Sequence, residues 1–287
     1  GATSRKTPDE IMNWGRVLSL PSETTNALVY SSKMSAKVDS SLVQDSYTLY
    51  HHAFFFSRNG AWTVVQQGMN TDNATARRYH WYSDNPADIT FTEEPHKGIA
   101  SQLFRKQALN LISKKSKKNK DISLELVESG YKTLMKDIEL LRLHSGSVSR
   151  MIGLRQGQQE FVFAELDRTE FRHHPVEMED FTKSKYLEKI LQKVTYETPQ
   201  AFESLLSIKG VGGKTISALS LVGEVIYGAE PSYQDPARYS FAHGGKDATP
   251  YPVDRDTYDQ TIQIMQNAVR KSKINPSEKD KALRRLG

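Results

Sequence analysis

Ile208-Lys209-Gly210-Val211-Gly212-Gly213-Lys214-Thr215 stands between two helical patterns and decides how the second half of the chain is read. Ahead of it, Thr198 suits an N-cap and Pro199 a first helical position, opening a helix through Leu205 and Leu206. After it, Ile216, Leu219, Val222 and Ile226 line one face of a helix expected over about 214–227, with Gly228 as its stop. Gly210, Gly212 and Gly213 permit a tight turn and close backbone approach to a ligand, so Gly212→Val is expected to strain it. Amides opening the second helix then point outward, where a phosphate accepts their hydrogen bonds. A nucleotide-binding P-loop is excluded, because it requires glycine where this chain has Ile208.

The 287 residues are 37% hydrophobic and 25% charged, enough for two domains of ordinary globular composition. No apolar run reaches the roughly 20 residues of a membrane span, and no secretory leader is visible. Cysteine is absent, which removes disulfides, thiolate zinc sites and cysteine nucleophiles. These features predict a cytoplasmic protein with no membrane partner. Because Gly1 stands where a start methionine would, the sequence reads as a trimmed chain or a segment of a longer one.

Net charge is +5, unevenly spread: Lys114, Lys115, Lys117, Lys118 and Lys120 form one run, and Arg270 to Arg285 holds another basic cluster. Such clusters fit either a solvated surface or a phosphate-backbone partner bound in a salt-dependent way.

The fold expected is α+β: an antiparallel β-meander unit with helices over 1–120, followed by an all-α unit over 121–287. Helices are predicted from Pro8 to Leu20 and again from Pro21 onward. Tyr47 to Phe56 reads as an extended aromatic strand, Ser57-Arg58-Asn59-Gly60 as a hairpin turn, and Ala61 to Asn70 as the partner strand. Arg77 to Tyr82 is a third strand. Beyond the lysine run, helical spacing returns over Ile122–Leu143, Phe181–Val194 and about Thr257–Ser272. Between the last two, 229–253 is a long loop rich in Gly, Pro and Tyr, of a length usually tied to function.

Two constellations can carry chemistry. In the hairpin, Lys209, Gly210, Gly212, Gly213, Lys214 and Thr215 are the expected DNA-backbone contacts, joined by Arg77 and by Lys246 of a His243-Gly244-Gly245-Lys246-Asp247 flap. On the strands, Asp39, Asp45, His51, His52, Gln67, Arg78 and His80 are the candidate catalytic set. Asp39, Asp45 and His52 could hold a hard divalent metal, magnesium or manganese, as phosphoester hydrolysis uses. Arg77, Arg78 and His80 would then stabilise phosphate charge. Strand alternation places His51 and His52 on opposite sheet faces. Blander readings compete: single strand histidines are commonly core or edge residues, Glu93-Glu94-Pro95-His96 reads as capping ahead of a helix, and Trp62, Trp81 and Phe54–Phe56 read as core.

The segment Leu206…Gly210-Val211-Gly212-Gly213-Lys214-Thr215…Tyr227-Gly228…Pro252-Val253-Asp254 resembles helix-hairpin-helix DNA glycosylases. The resemblance implies a lysine nucleophile at Lys214 assisted by Asp254, although the 229–253 insertion roughly doubles the family's spacing between them. Non-catalytic hairpin proteins share the same Lys-Thr. Over nearly its whole length, the chain is similar to an uncharacterised prokaryotic family, domain of unknown function 763, common in archaea. That similarity rests on Ser35-Ala36-Lys37-Val38-Asp39, Tyr50-His51-His52, Val65-Gln66-Gln67-Gly68-Met69-Asn70, Ala76-Arg77-Arg78-Tyr79-His80-Trp81 and Thr249-Pro250-Tyr251-Pro252-Val253-Asp254. It implies a further N-terminal portion and supplies no mechanism.

Taken together, the sequence predicts a DNA-processing or repair protein of nuclease type that grips the backbone with its hairpin, tolerant of sequence. The alternatives are a glycosylase/lyase using Lys214 and Asp254, and a non-catalytic DNA-binding adaptor.

Overall fold

Alternation of apolar and polar side chains in β3 (Trp62–Asn70) and β4 (Thr75–Ser83) drives one side of each strand out of water. A computed structural model describes residues 6–85, 89–101, 103–144, 153–156, 159–162, 185–240 and 255–286. It divides the chain into two units, Gly1–Tyr239 and Ser240–Gly287.

In the first unit, α1 (Thr7–Val17) and α2 (Ser22–Ser41) precede β1 (Val43–Gln44) and β2 (Thr48–Phe56). β2, β3, β4 and β5 (Gly98–Ser101) form an antiparallel sheet in that order. Gly60 closes the β2–β3 turn with φ 88°, and Ser57 N–H donates to the Ala61 carbonyl at 2.9 Å. β5 occupies the segment just after His96, where a helix was expected. β6 (Leu109–Asn110) pairs separately with β1.

The sheet's inner face packs on α2. Trp62 stacks with Phe54 and Phe91, and Trp81 tilts against Phe91, so the two tryptophans are core as predicted. The aromatic run itself alternates: Phe54 packs against the core, whereas Phe55 is 59% exposed.

On the other side of α2 lies a helical layer. α3 (Lys117–Glu128) and α4 (Tyr131–His144) replace the single helix expected over Ile122–Leu143, because Gly130 turns the backbone at φ 88°. The hairpin β7 (Gly153–Gln156) with β8 (Gln159–Val162) also departs from the all-α expectation. α5 (Lys185–Glu197), α6 (Phe202–Ser207) and α7 (Gly213–Val225) follow. Ala201, not Thr198, stands at the N-cap of α6; Thr198 has φ 41° and ends the preceding helix. α7 is buried on every side from Thr215 to Gly223, the mark of a central helix. The boundary read at 120/121 falls within α3, inside the first unit. Arg238, just before β9 (Tyr239–Ser240), donates to the Ile99 carbonyl at the far edge of β5.

The second unit contains α8 (Arg255–Lys271) and α9 (Pro276–Arg285). Asn275 caps α9 by accepting from Ser277 N–H at 3.1 Å. Both helices end on basic residues, which complement the helix dipole. Among the described residues, no helix is long and apolar enough to cross a membrane.

Candidate nucleic-acid interface

Helical spacing sorts the residues of α2 into two stripes. Ser32, Ser35 and Asp39 lie three and four apart and meet the sheet, whereas Tyr30, Lys33, Lys37 and Ser40 form a second stripe toward α6 and the turn before α7. Two kinds of polar chemistry result.

On the sheet side most polar groups are consumed by one another, although His96 Nδ1 and Trp62 Nε1 are buried without a partner. Asp39 is fully buried and accepts from Trp81 Nε1 at 2.9 Å and from Gln66 Nε2; its other oxygen is met by His96 Nε2 at 2.5 Å. Because the Gln66 amide nitrogen is aimed at Asp39 and at the Ser35 carbonyl, its oxygen faces His52. His52 must therefore donate from Nδ1, at 2.9 Å, leaving Nε2 to accept from Ser32 Oγ at 3.0 Å. Burial pushes the His52 imidazole below its ordinary range, against the opposing pull of Gln66 and Asp39. Ser32, His52 and Gln66 are connected like a nucleophile, base and orienter, but Ser32 has no exposed surface for a substrate to reach. The chain is a core polar network.

Arg77 organises a second buried network. Its guanidinium donates to Asp45 at 2.7 Å, to both Asp235 oxygens at 2.8 and 2.9 Å, to Ser101 Oγ at 3.1 Å and to the Leu103 carbonyl at 3.3 Å. It also lies 4.5 Å above the Tyr47 ring. Burial works against its charge, but Asp45 and Asp235 outweigh that and hold it above its ordinary range. Burial pushes the Asp45 carboxyl up, against Arg77 and the donors from Tyr79 and Tyr47.

On the other side of α2, ammonium groups are turned onto the hairpin backbone. Lys37 Nζ donates to the Ile208 carbonyl at 2.7 Å and Lys193 Nζ to the next carbonyl, that of Lys209, at 2.9 Å. Burial, and then the nearby Lys193 charge, lower the Lys37 amine below its ordinary range. Gln44 Nε2 holds the Gly213 carbonyl at 3.1 Å. Ile208, Val211 and Thr215 are buried, whereas Lys209 and Lys214 are exposed at either end of the turn. Gly212, at the N-cap of α7, has no side chain to accept from the helix-terminal amides. Beside the turn, Tyr30, Lys33, Met34, Ala36, Lys37, Ser40 and Ser207 line a cleft of about 390 Å³. The Tyr30 hydroxyl, at its edge, donates to Glu203 at 2.6 Å.

The glycines divide differently from the sequence expectation. Gly210 is the position that requires glycine: its φ is 102°, and a Cβ there would lie 2.4 Å from Ile190 Cδ1. Gly212 has extended backbone, φ −153°, and a Cβ there would meet nothing within 4 Å. The strain assigned to Gly212→Val therefore belongs to Gly210, and Gly212 opens toward free space. Thr215 offers only its backbone to a ligand, since its side chain is buried.

The candidate catalytic set is split by the sheet. Asp39, Asp45 and His52 are interior, with Arg77 beside them. His51, Gln67 and Arg78 share one cross-strand row on the opposite face, His80 lies on that face two residues along β4 from Arg78, and both arginine and histidine pairs divide by strand alternation. Among the described residues, no group of three or more acidic or histidine side chains is placed to hold a metal ion. Lys246 and Asp254 lie outside the described residues. Lys120, read within an exposed run, is buried and donates to the Thr92 carbonyl at 2.6 Å. His96, read as capping, belongs to the Asp39 network. Asp235, Lys193 and Ser32 were not singled out in sequence; nothing local marks them, because their partners are distant in the chain.

Fold and site define an α+β protein whose helix α2 separates a polar, buried sheet interface from a lysine-held turn. The chain belongs to the family described as a protein of unknown function, DUF763, whose model matches residues 1–253. No curated protein and no solved structure matches it.

Proposed function

We propose that the protein binds DNA through its backbone phosphates, using the 208–215 turn and the adjoining α2 stripe. The observation that carries this reading is the placement of Lys37 and Lys193 on consecutive carbonyls of the turn. Ammonium groups cancel the negative ends of those peptides, so the turn presents its amides and its lysines rather than its oxygens. Lys209 and Lys214 flank the turn, Lys33 and Lys37 line the neighbouring cleft, and glycine stands at the N-cap of α7. An anionic oxygen approaching over Gly212 meets helix-terminal amides and several cations together. Interactions of this kind position a backbone without reading bases, so binding is sequence-tolerant. The test is affinity for a labelled duplex across a salt series. Lys33→Ala with Lys209→Ala should weaken binding and flatten the salt slope by about one for each phosphate no longer neutralised. Binding that ignores both salt and these substitutions would contradict the reading.

A second reading, phosphodiester cleavage, is favoured by one observation: the register gathers His51, Gln67 and Arg78 in a row, with His80 nearby on the same open face. Imidazoles can exchange protons while a guanidinium stabilises phosphorane charge. Incubation of single-stranded, duplex and branched DNA with Mg²⁺, Mn²⁺ or chelator tests it. Cleavage lost in His51→Ala with His80→Ala supports it, and retained binding without cleavage under every condition leaves a DNA-binding adaptor.

A further inference from the structure

The outer face of the sheet carries a pattern that neither the core nor the hairpin uses. Cross-strand register builds it in three rows. His51, Gln67 and Arg78 form a polar row; Phe55, Thr63 and Tyr82 form an aromatic row; Ala53, Val65 and His80 lie between them. Phe55 is 59% exposed and Tyr82 43% exposed, each on an outer strand of the β2–β3–β4 ribbon. The middle row is low at Ala53 and Val65, so a shallow trough separates the aromatic rings from the cationic row. Polar and aromatic rows are four residues apart along each strand, about 13 Å at the rise of extended chain.

We propose that this open sheet face binds single-stranded nucleic acid, with unpaired bases stacked on Phe55 and Tyr82 and the phosphate backbone running past Arg78, His51 and Lys97. Charge selects the occupant. Among the described residues, none of these three rows contains a carboxylate; at the end of the strand Asp84 accepts from the Tyr82 hydroxyl and leaves the ring face available. Lys97 is exposed beside the same edge, and its backbone N–H donates to the His80 carbonyl at 2.9 Å, fixing that edge next to the row. A protein partner would meet few aliphatic groups here: Val65 and Met69 are the larger ones. A duplex hides the faces of its bases inside the stack, whereas a single strand offers a π-face at every base, which makes aromatic platforms tolerant of sequence. The inner-facing tryptophans cannot serve, since both are buried. Binding at this face requires neither the hairpin nor cleavage, because α2 lies between the two surfaces.

The experiment measures fluorescence anisotropy of labelled oligothymidine and oligouridine, and of a duplex, with the whole chain. Phe55→Leu with Tyr82→Leu keeps apolar surface while removing the rings, and it should weaken single-strand binding by about fivefold or more, the scale of a lost base stack. Arg78→Ala should weaken it further and reduce its salt dependence. Gly212→Glu, which acts at the turn, should lower duplex affinity, and the leucine substitutions made in that background should still weaken oligonucleotide binding by about fivefold, because distant sites act independently. A photo-crosslink from a bromouracil-containing oligonucleotide mapped to β2 or β4 would support the assignment without any substitution. Absence of oligonucleotide binding by the unaltered chain, or binding unchanged in the leucine variant and lost in Gly212→Glu, would overturn it. The hairpin reading fails separately, when Gly212→Glu leaves duplex affinity intact.

Discussion

Lys37 and Asp39 stand two residues apart on α2 and face opposite layers. Asp39 is surrounded by Gln66, Trp81 and His96, so its charge is spent inside the fold. Lys37 is half-buried and spends one hydrogen bond on a turn carbonyl, beside the Lys193 cation that shares the same turn. Both sides are rich in polar residues. What separates them is whether the charged group is enclosed by partners within the protein, as Asp39 is, or lines a cleft, as Lys37 does, and that is decided by the layer each stripe faces. A polar cluster is evidence for a ligand only where its partners leave chemistry over.

Arg77 and Arg78 sharpen this contrast most strongly. Arg77→Met would leave Asp45 and Asp235 without their shared cation, and should cost about 3–5 kcal/mol in chemical denaturation. Arg78→Met, one residue on and exposed, should cost far less, no more than about 1 kcal/mol. Similar losses for both would erase the distinction between the faces.

The hairpin glycines supply the next comparison. Gly210→Ala places a side chain at φ 102° and against Ile190, and should destabilise by roughly 1–3 kcal/mol. Gly212→Ala should be nearly neutral by the same denaturation measurement. Reversed outcomes would return the conformational demand to Gly212.

Lys37→Met removes a charged donor from the Ile208 carbonyl, with an expected loss of about 1–3 kcal/mol. It should also weaken DNA binding, whereas Ser35→Ala, on the opposite stripe, should leave binding unchanged.

The smallest effect is that of pH. Folded His52 is held below its ordinary value of 6.5, so the folded state takes up its proton later than the unfolded state does. Stability is then full above about pH 6.5 and falls as pH drops from there toward the folded pKa. Thermal unfolding of His52→Asn between pH 7 and pH 5 should show a shallower fall than the unaltered chain.

Much of the fold was legible because its signals are local. The Ser57–Gly60 turn, alternation through Trp62–Asn70 and the apolar run of α7 each declare themselves within a few residues. Short β5 lacked that periodicity, and Gly130 interrupted a helical pattern that Ile122 to Leu143 otherwise continues. The candidate site was harder, since alternation separates His51 from His52 but does not say which face is covered. That depends on the tertiary packing of α2 on β2 and β3, which strand alternation does not encode. Asp235 shows the limit most clearly: its partner Arg77 is 158 residues away, and no spacing rule connects them.

The central claim is that the turn before α7 receives a phosphate over Gly212. Gly212→Glu tests it most directly, because the new carboxylate would sit at the N-cap, occupy the helix-terminal amides itself and leave the fold intact. Thermal stability equal to or above that of the unaltered chain, with duplex affinity reduced by about tenfold, a difference of about 1.4 kcal/mol, is the predicted result. Full duplex affinity in that stably folded variant would contradict it.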